Sequence, residues 1–148
     1  MRVSEAMTRD CEAVKMNESI QSAARRMREK DIGALFVNDD SGKVAGIITD
    51  RDIAVRAVAE GADMSAEVSR YMSKDVIHCY EDDDLQDAIR KMESEQIRRL
   101  MVCNRRDQPV GMLAQADIAR ALGRAPVTGE VLRGISKPGG RHSQSMRH

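Results

Sequence analysis

The stretch Gly46-Ile47-Ile48-Thr49-Asp50-Arg51-Asp52-Ile53-Ala54 returns as Gly111-Met112-Leu113-Ala114-Gln115-Ala116-Asp117-Ile118-Ala119, and this return decides the fold. Outward from it, with the same shift and no gap, Met7 falls on Met72, Asp10 on Asp75, Gln21 on Gln86 and Ala23 on Ala88. Arg25, Met27, Ile32, Leu35 and Val37 fall on Arg90, Met92, Ile97, Leu100 and Val102. A period of 65 residues, read from Asp52 to Asp117, exceeds that of helical or propeller repeats, so each copy is a small domain and not a rung of a solenoid. A unit of about 60 residues buries too little apolar surface to be comfortable alone. The two copies are therefore expected to share a core.

Composition narrows the function. Lysine plus arginine number 24 and aspartate plus glutamate 24, so no net field draws the chain to nucleic acid or to an acidic membrane. Phe36, Tyr71 and Tyr80 are the whole aromatic set, too few for a platform that stacks bases. No stretch approaches the roughly 18 apolar residues of a membrane span. Met1 to Asp10 lacks the apolar centre of a secretion signal, and a cytoplasmic protein is expected. Cys11, Cys79 and Cys103 are odd in number and widely spaced, which favours reduced thiols over a disulfide framework. His78-Cys79 is the one pair that invites a metal, but neighbours on a strand point to opposite faces and no second pair stands at ligand spacing.

Periodicity supplies the elements. Ile20, Ala23, Ala24 and Met27 follow helical spacing, and Leu85, Ala88, Ile89 and Met92 repeat it. Short β-leaning segments precede these helices at Glu12 to Met16 and Val76 to Tyr80. Apolar runs follow at Ala34 to Val37 and Leu100 to Cys103. Turn residues Asn38 to Gly42 and Asn104 to Asp107 lead into further strands at Val44 to Ile48 and Val110 to Leu113. Second helices are expected from near Thr49 to Glu60 and from near Ala114 to Leu122. The order is β-α-β-β-α twice, an α/β chain of α+β type. One sheet face in each copy lacks a helix, so the sheets are expected to pack on each other with pseudo-two-fold symmetry. Boundaries fall at 1–61 for the first repeat, 62–67 for a linker and 68–124 for the second repeat. Residues 125–148 form a C-terminal extension, with one short helix expected at Thr128 to Ile135 and a flexible tail beyond.

The junction Gly46 to Asp52 joins a strand end to a helix start, where free N–H groups and the positive end of the helix dipole suit a phosphate. Thr49 adds a hydroxyl, and Asp52, three residues on, a carboxylate placed to accept both hydroxyls of a ribose. Thr-x-x-Asp is equally a capping box, in which both side chains serve the helix start alone. Glu81 to Asp84 read as acids complementing a helix dipole and as a poor calcium loop. Met7, Met16, Met27, Met72, Met92 and Met112 read as core filler. No nucleophile is paired with a base, so no enzyme activity is expected.

Two β-α-β-β-α units with this G-h-h-T-x-x-D junction, together with the strand Ile97-Arg98-Arg99-Leu100-Met101-Val102, resemble a tandem pair of cystathionine β-synthase (CBS) domains, the Bateman module. The resemblance covers about Val3 to Gly123. It implies an adenine nucleotide (AMP, ADP or ATP) held as a regulatory ligand in a cleft between the repeats, no required cofactor and no metal, and homodimers. Carried over, Thr49 serves the phosphate side, Asp52 the ribose, and Arg51 reaches the phosphates beside Ile47. The opposite copy brings Val76, Ile77 and Ile97 to the base and Arg98 and Arg99 to the phosphates. The second cleft departs from the pattern: Asp117 is kept, but Ala114 replaces the hydroxyl, and Gly33 and Ala34 stand where the arginines would be. A nucleotide sensor is the leading reading. A ligand-independent protein that stabilises or inhibits a partner through its dimer surface is the second.

Overall fold

The computed structural model describes residues 1–9 and 11–123, and the expectations for 125–148 lie outside them. The described residues form two compact units, one of Glu12–Val76 and one of Met1–Cys11 together with residues 77–123.

In the first unit β1 (Ala13–Lys15), α1 (Ile20–Lys30), β2 (Ala34–Asn38) and β3 (Val44–Thr49) are followed by α2 (Asp50–Asp52), which runs on as a π-helix over Ile53–Val58. The sheet order is β1-β2-β3, with β1 parallel and β3 antiparallel to β2. Parallel pairing requires a crossover, which α1 supplies; antiparallel pairing needs only the turn at Asp39–Gly42. Asp39 builds that turn, its Oδ1 accepting from the N–H groups of Ser41 (2.9 Å) and Lys43 (3.0 Å), while Gly42 takes φ +86°. Leu35, Val37 and Ile48 join Ile20, Ala23 and Met27 in one core. Phe36 and Ile47, on the alternate face, are buried as well. Strands covered on both sides explain why these runs read as continuously apolar.

The second unit repeats this with β4 (His78–Tyr80), α3 (Leu85–Glu95), β5 (Arg99–Cys103), β6 (Pro109–Ala114) and α4 (Gln115–Ala121) in the sheet order β4-β5-β6. Its core gathers Leu85, Ile89, Met92, Leu100, Leu113 and Ile118. Each long helix is N-capped, α1 by Ser19 and α3 by Asp84, and each closes on a left-handed residue, Asp31 (φ 54°) or Gln96 (φ 52°).

Two features go beyond the sequence reading. The leading segment of each copy packs in the unit of the other. Thr8 pairs with Met112, its N–H and carbonyl both bonding at 2.9 Å, and Val3 is fully buried in the second core. In the same way Ser73 pairs with Ile47, and Val68, Tyr71 and Met72 lie in the first core. These crossings pass over Gly46 and Gly111, where an added Cβ would stand 2.5 Å from the carbonyl oxygens of Ser73 and Thr8. The supposed linker 62–67 is also tied down: the Ala66 carbonyl accepts from Ile20 N–H (2.9 Å), and Ala62 and Ala66 pack on the core.

The acids Glu81 to Asp84 do more than face a helix dipole. Asp84 caps α3 through Gln86 N–H (2.8 Å), whereas Asp82 and Asp83 hold Arg105 at 2.8 and 3.3 Å. Asp83 also accepts from Tyr80 N–H (2.9 Å), and Lys91 donates to the His78 carbonyl (2.6 Å). At the matching positions Glu18 accepts from Lys15 N–H (2.6 Å), and Arg26 donates to the Ala13 carbonyl. Charged side chains thus close the outer edges of β1 and β4 against further strand pairing.

Candidate functional site

The junction after β3 is built from its own backbone. Asp50 N–H donates to the Gly33 carbonyl (3.0 Å), which fixes the helix start against the beginning of β2. Thr49 is the N-cap, its Oγ1 accepting from Asp52 N–H (3.1 Å), and Asp52 Oδ2 accepts in return from Thr49 N–H (3.0 Å). Both residues are fully buried. The capping box weighed from sequence is therefore formed, with one carboxylate oxygen of Asp52 given to the cap. Arg51 is exposed on the same turn, and its N–H donates to Asp50 Oδ1 (2.8 Å).

The helix that leaves this junction is unusual. After a single α turn it widens into the six-residue π-helix Ile53–Val58, with Val55 and Val58 left 42% and 56% exposed. Arg56 reaches from it to the Tyr71 carbonyl (2.7 Å). π-Segments recur where a helix has been bent to a task, and none was legible in the sequence. The helix at the second junction, α4, is ordinary.

The second junction keeps half of the box. Ala114 has no hydroxyl to give, but Ala114 N–H still donates to Asp117 Oδ2 (2.7 Å). Gln115 N–H closes the turn on the Arg98 carbonyl (3.0 Å), as Asp50 does on Gly33.

Among the other expected site residues, Ile47 and Ile97 are fully buried, Ile97 within the core of the second unit. Val76 and Ile77 are half-buried and precede β4, so the strand is shorter than the alternation suggested. Arg98 is exposed and Arg99 half-buried at the start of β5. A pocket lined in part by Lys15, Glu18, Arg26 and Asn38 lies along the closed edge of β1 and includes neither Thr49 nor Asp52. Burial pushes the Cys79 thiol up to about 12, with the charge of Asp83 adding to it, so this is a packed side chain and not a reactive one. Among the described residues no three His, Cys, Asp or Glu side chains gather as a metal site, and no helix is long and apolar enough to cross a membrane.

A family model described as CBS domain matches residues 3–58 and again 68–124. Hypoxic response protein 1 of Mycobacterium tuberculosis is 36% identical over 107 residues, which is 72% of this chain and 74% of that protein. Among solved structures, the CBS domain pair of protein MJ0100, in complex with 5′-methylthioadenosine and S-adenosyl-L-methionine, superposes with TM-score 0.74 at 28% identity, covering 85% of this chain and 98% of that one. A CBS domain protein of Pyrobaculum aerophilum complexed with AMP gives TM-score 0.72 over 92% of this chain and 98% of its own; at 21% identity that likeness is one of fold.

Proposed function

Since the chain belongs to the CBS-domain family and carries the domain twice, we propose that it is a regulatory module that binds one adenine nucleotide at the Thr49–Asp52 junction. The observation that carries the reading is the contrast between the two junctions. Thr49 and Asp52 bond reciprocally and open a π-helix, whereas Ala114 leaves the second junction with half a box and an ordinary helix. A relative's CBS pair that holds adenosine compounds supports the ligand class. Arginines at 51, 98 and 99 favour a phosphorylated member of that class over a sulfonium, because a guanidinium pairs with phosphate oxygens in a planar, bidentate fork.

In this proposal Asp52 accepts ribose hydroxyls, Thr49 and the positive end of the helix dipole face the phosphate, and Arg51 screens its charge. Ile47 backs the junction. Val76, Ile77 and Ile97 meet the base, and Arg98 and Arg99 come to the phosphates from the second copy. Thr49 and Asp52 are both fully buried, so a ligand gains them only by favouring an arrangement that uncovers them. Binding is then coupled to a change of conformation, which is what a sensor requires. A cytoplasmic setting, where adenine nucleotides abound, fits this role, and no reaction is assigned to the site.

The exposed Val55 and Val58 favour a further reading that is compatible with the first, self-association through the π-helix as a homodimer or docking of a protein partner there. The nucleotide reading is tested with Arg98→Ala/Arg99→Ala. The double variant should lose affinity for AMP and keep it for adenosine, so the gap between the two ligands narrows along with its salt dependence. Equal loss for both would remove the arginines from the phosphates.

A further inference from the structure

The carboxylate of Asp117 is 5% exposed and has three donors around it. Its Oδ2 accepts from Ala114 N–H at 2.7 Å. Its Oδ1 accepts from the hydroxyl of Thr8 at 3.0 Å and from the guanidinium of Arg120, one turn along α4. One of these donors, the guanidinium, has no counterpart at the first junction, whereas the hydroxyl of Thr8 is matched in type by a serine. Shifting Arg120 back by the repeat gives Val55, and shifting Thr8 forward gives Ser73. Where the first copy has a threonine hydroxyl at the cap itself, the second borrows one from the amino-terminal segment.

We propose that the second junction is a latch and not a ligand site: Asp117 takes Thr8 and Arg120 in the positions that sugar hydroxyls would need, and so fastens residues 1–8 to the sheet of the second unit. The segment is also fixed at its start, where Leu85 N–H donates to the Met1 carbonyl (2.8 Å), and by Ala6 and Met7, which pack against the second core. Backbone bonds join Val3 N–H to Asp83 (2.9 Å), Ser4 N–H to Glu81 (2.9 Å) and Thr8 to Met112, and Val3 is the one fully buried apolar side chain it contributes. A hydrogen bond to a buried carboxylate is stronger than one between neutral groups, and a buried carboxylate deprived of a donor is costly. Asp117 therefore holds the segment and is held by it. This also accounts for an acid retained at a junction that lacks the threonine, since removing the carboxylate would release the segment. The inference does not depend on what the first junction binds.

Amide hydrogen exchange on the full chain tests it. Asp117→Asn should speed exchange at Val3, Ser4 and Thr8 by roughly tenfold or more, the scale for losing a bond to a charged group, while amides of β2 and β3 stay at wild-type rates. Thr8→Val should give the same local loss and Thr8→Ser should restore protection. The double variant Thr8→Val/Asp117→Asn should exchange no faster than the worse single, because both changes break one contact. Additive effects, or wild-type protection in Thr8→Val, would overturn the latch. Adenosine titrated into the wild-type protein should leave the resonances of Thr8, Ala114 and Asp117 in place, and a saturable shift at all three would make the junction a ligand site after all.

Discussion

Replacing Gly46 by alanine tests the exchange of leading segments most sharply. The new Cβ would stand 2.5 Å from the Ser73 carbonyl oxygen and 2.8 Å from Met72 Sδ, against ordinary contact from 3.4 Å. The sulfur can swing aside; the carbonyl belongs to backbone and cannot. Relief requires residues 72–73 to withdraw from β3, which breaks Ile47 N–H to Ser73 O (3.0 Å) and Ser73 N–H to Ile47 O (2.8 Å). Two such bonds at about 1 kcal/mol each, with overpacking of about 1–2 kcal/mol for the displaced Met72, give a loss of about 3–4 kcal/mol. Urea unfolding followed by far-UV circular dichroism measures it. Gly42→Ala is the control: it has open space around its Cβ but φ +86°, and should cost only about 1 kcal/mol of left-handed strain. If Gly46→Ala were as stable as wild type, or cost no more than Gly42→Ala, the close crossing of the Ser73 segment over β3 would be refuted.

Two other changes probe the fold at separate points. Gln96→Gly relieves a side chain held at φ 52° at the end of α3 and should raise stability by about 0.5 kcal/mol, the left-handed penalty less the extra freedom of glycine in the unfolded chain; a lower urea midpoint would count against the cap geometry. The Cys79 thiol, pushed up to about 12 from an ordinary value of 9.0, keeps its proton in the folded state where the unfolded chain has lost it. Stability from this group is whole below pH 9 and falls as the pH climbs toward 12. Comparing urea midpoints at neutral and alkaline pH, the wild type should lose more than Cys79→Ala does; equal losses would mean the thiol is not desolvated.

The sequence carries most of the fold because it is written twice. The helical stripes at Ile20 to Met27 and Leu85 to Met92, the apolar runs and the turn acids each fixed an element to within a residue or two, and the turn at Asp39 to Gly42 had its mechanism in plain sight. What was not legible depends on contacts between distant residues. Nothing local in Val3-Ser4-Glu5 tells that Val3 fills a core begun by Leu85, or that Gly46 and Gly111 are glycines because a carbonyl passes over them. The edge caps escaped notice for a different reason. Glu18 with Arg26 and Asp83 with Lys91 occupy matching positions but differ in residue type, so an identity search passes over a shared function. The π-helix has no sequence signal, since Ile53 to Val58 reads as an apolar α-helical face. At the site, the Thr49–Asp52 pair was found from its spacing, whereas the place of Thr8 beside Asp117 required the tertiary fold.

The central claim, that one junction binds a nucleotide and the other does not, is tested most directly by calorimetric titration of AMP into the wild type, Asp52→Ala and Asp117→Ala. The account expects one AMP per wild-type chain, affinity weakened by about 2 kcal/mol or roughly 30-fold in Asp52→Ala, and affinity unchanged in Asp117→Ala despite its loosened amino-terminal segment. Asp52→Ala should also cost about 1 kcal/mol of stability as a broken cap, so affinity and melting temperature are read on the same sample. Two equal sites per wild-type chain, or an Asp52→Ala protein that melts earlier yet binds AMP as the wild type does, would contradict it.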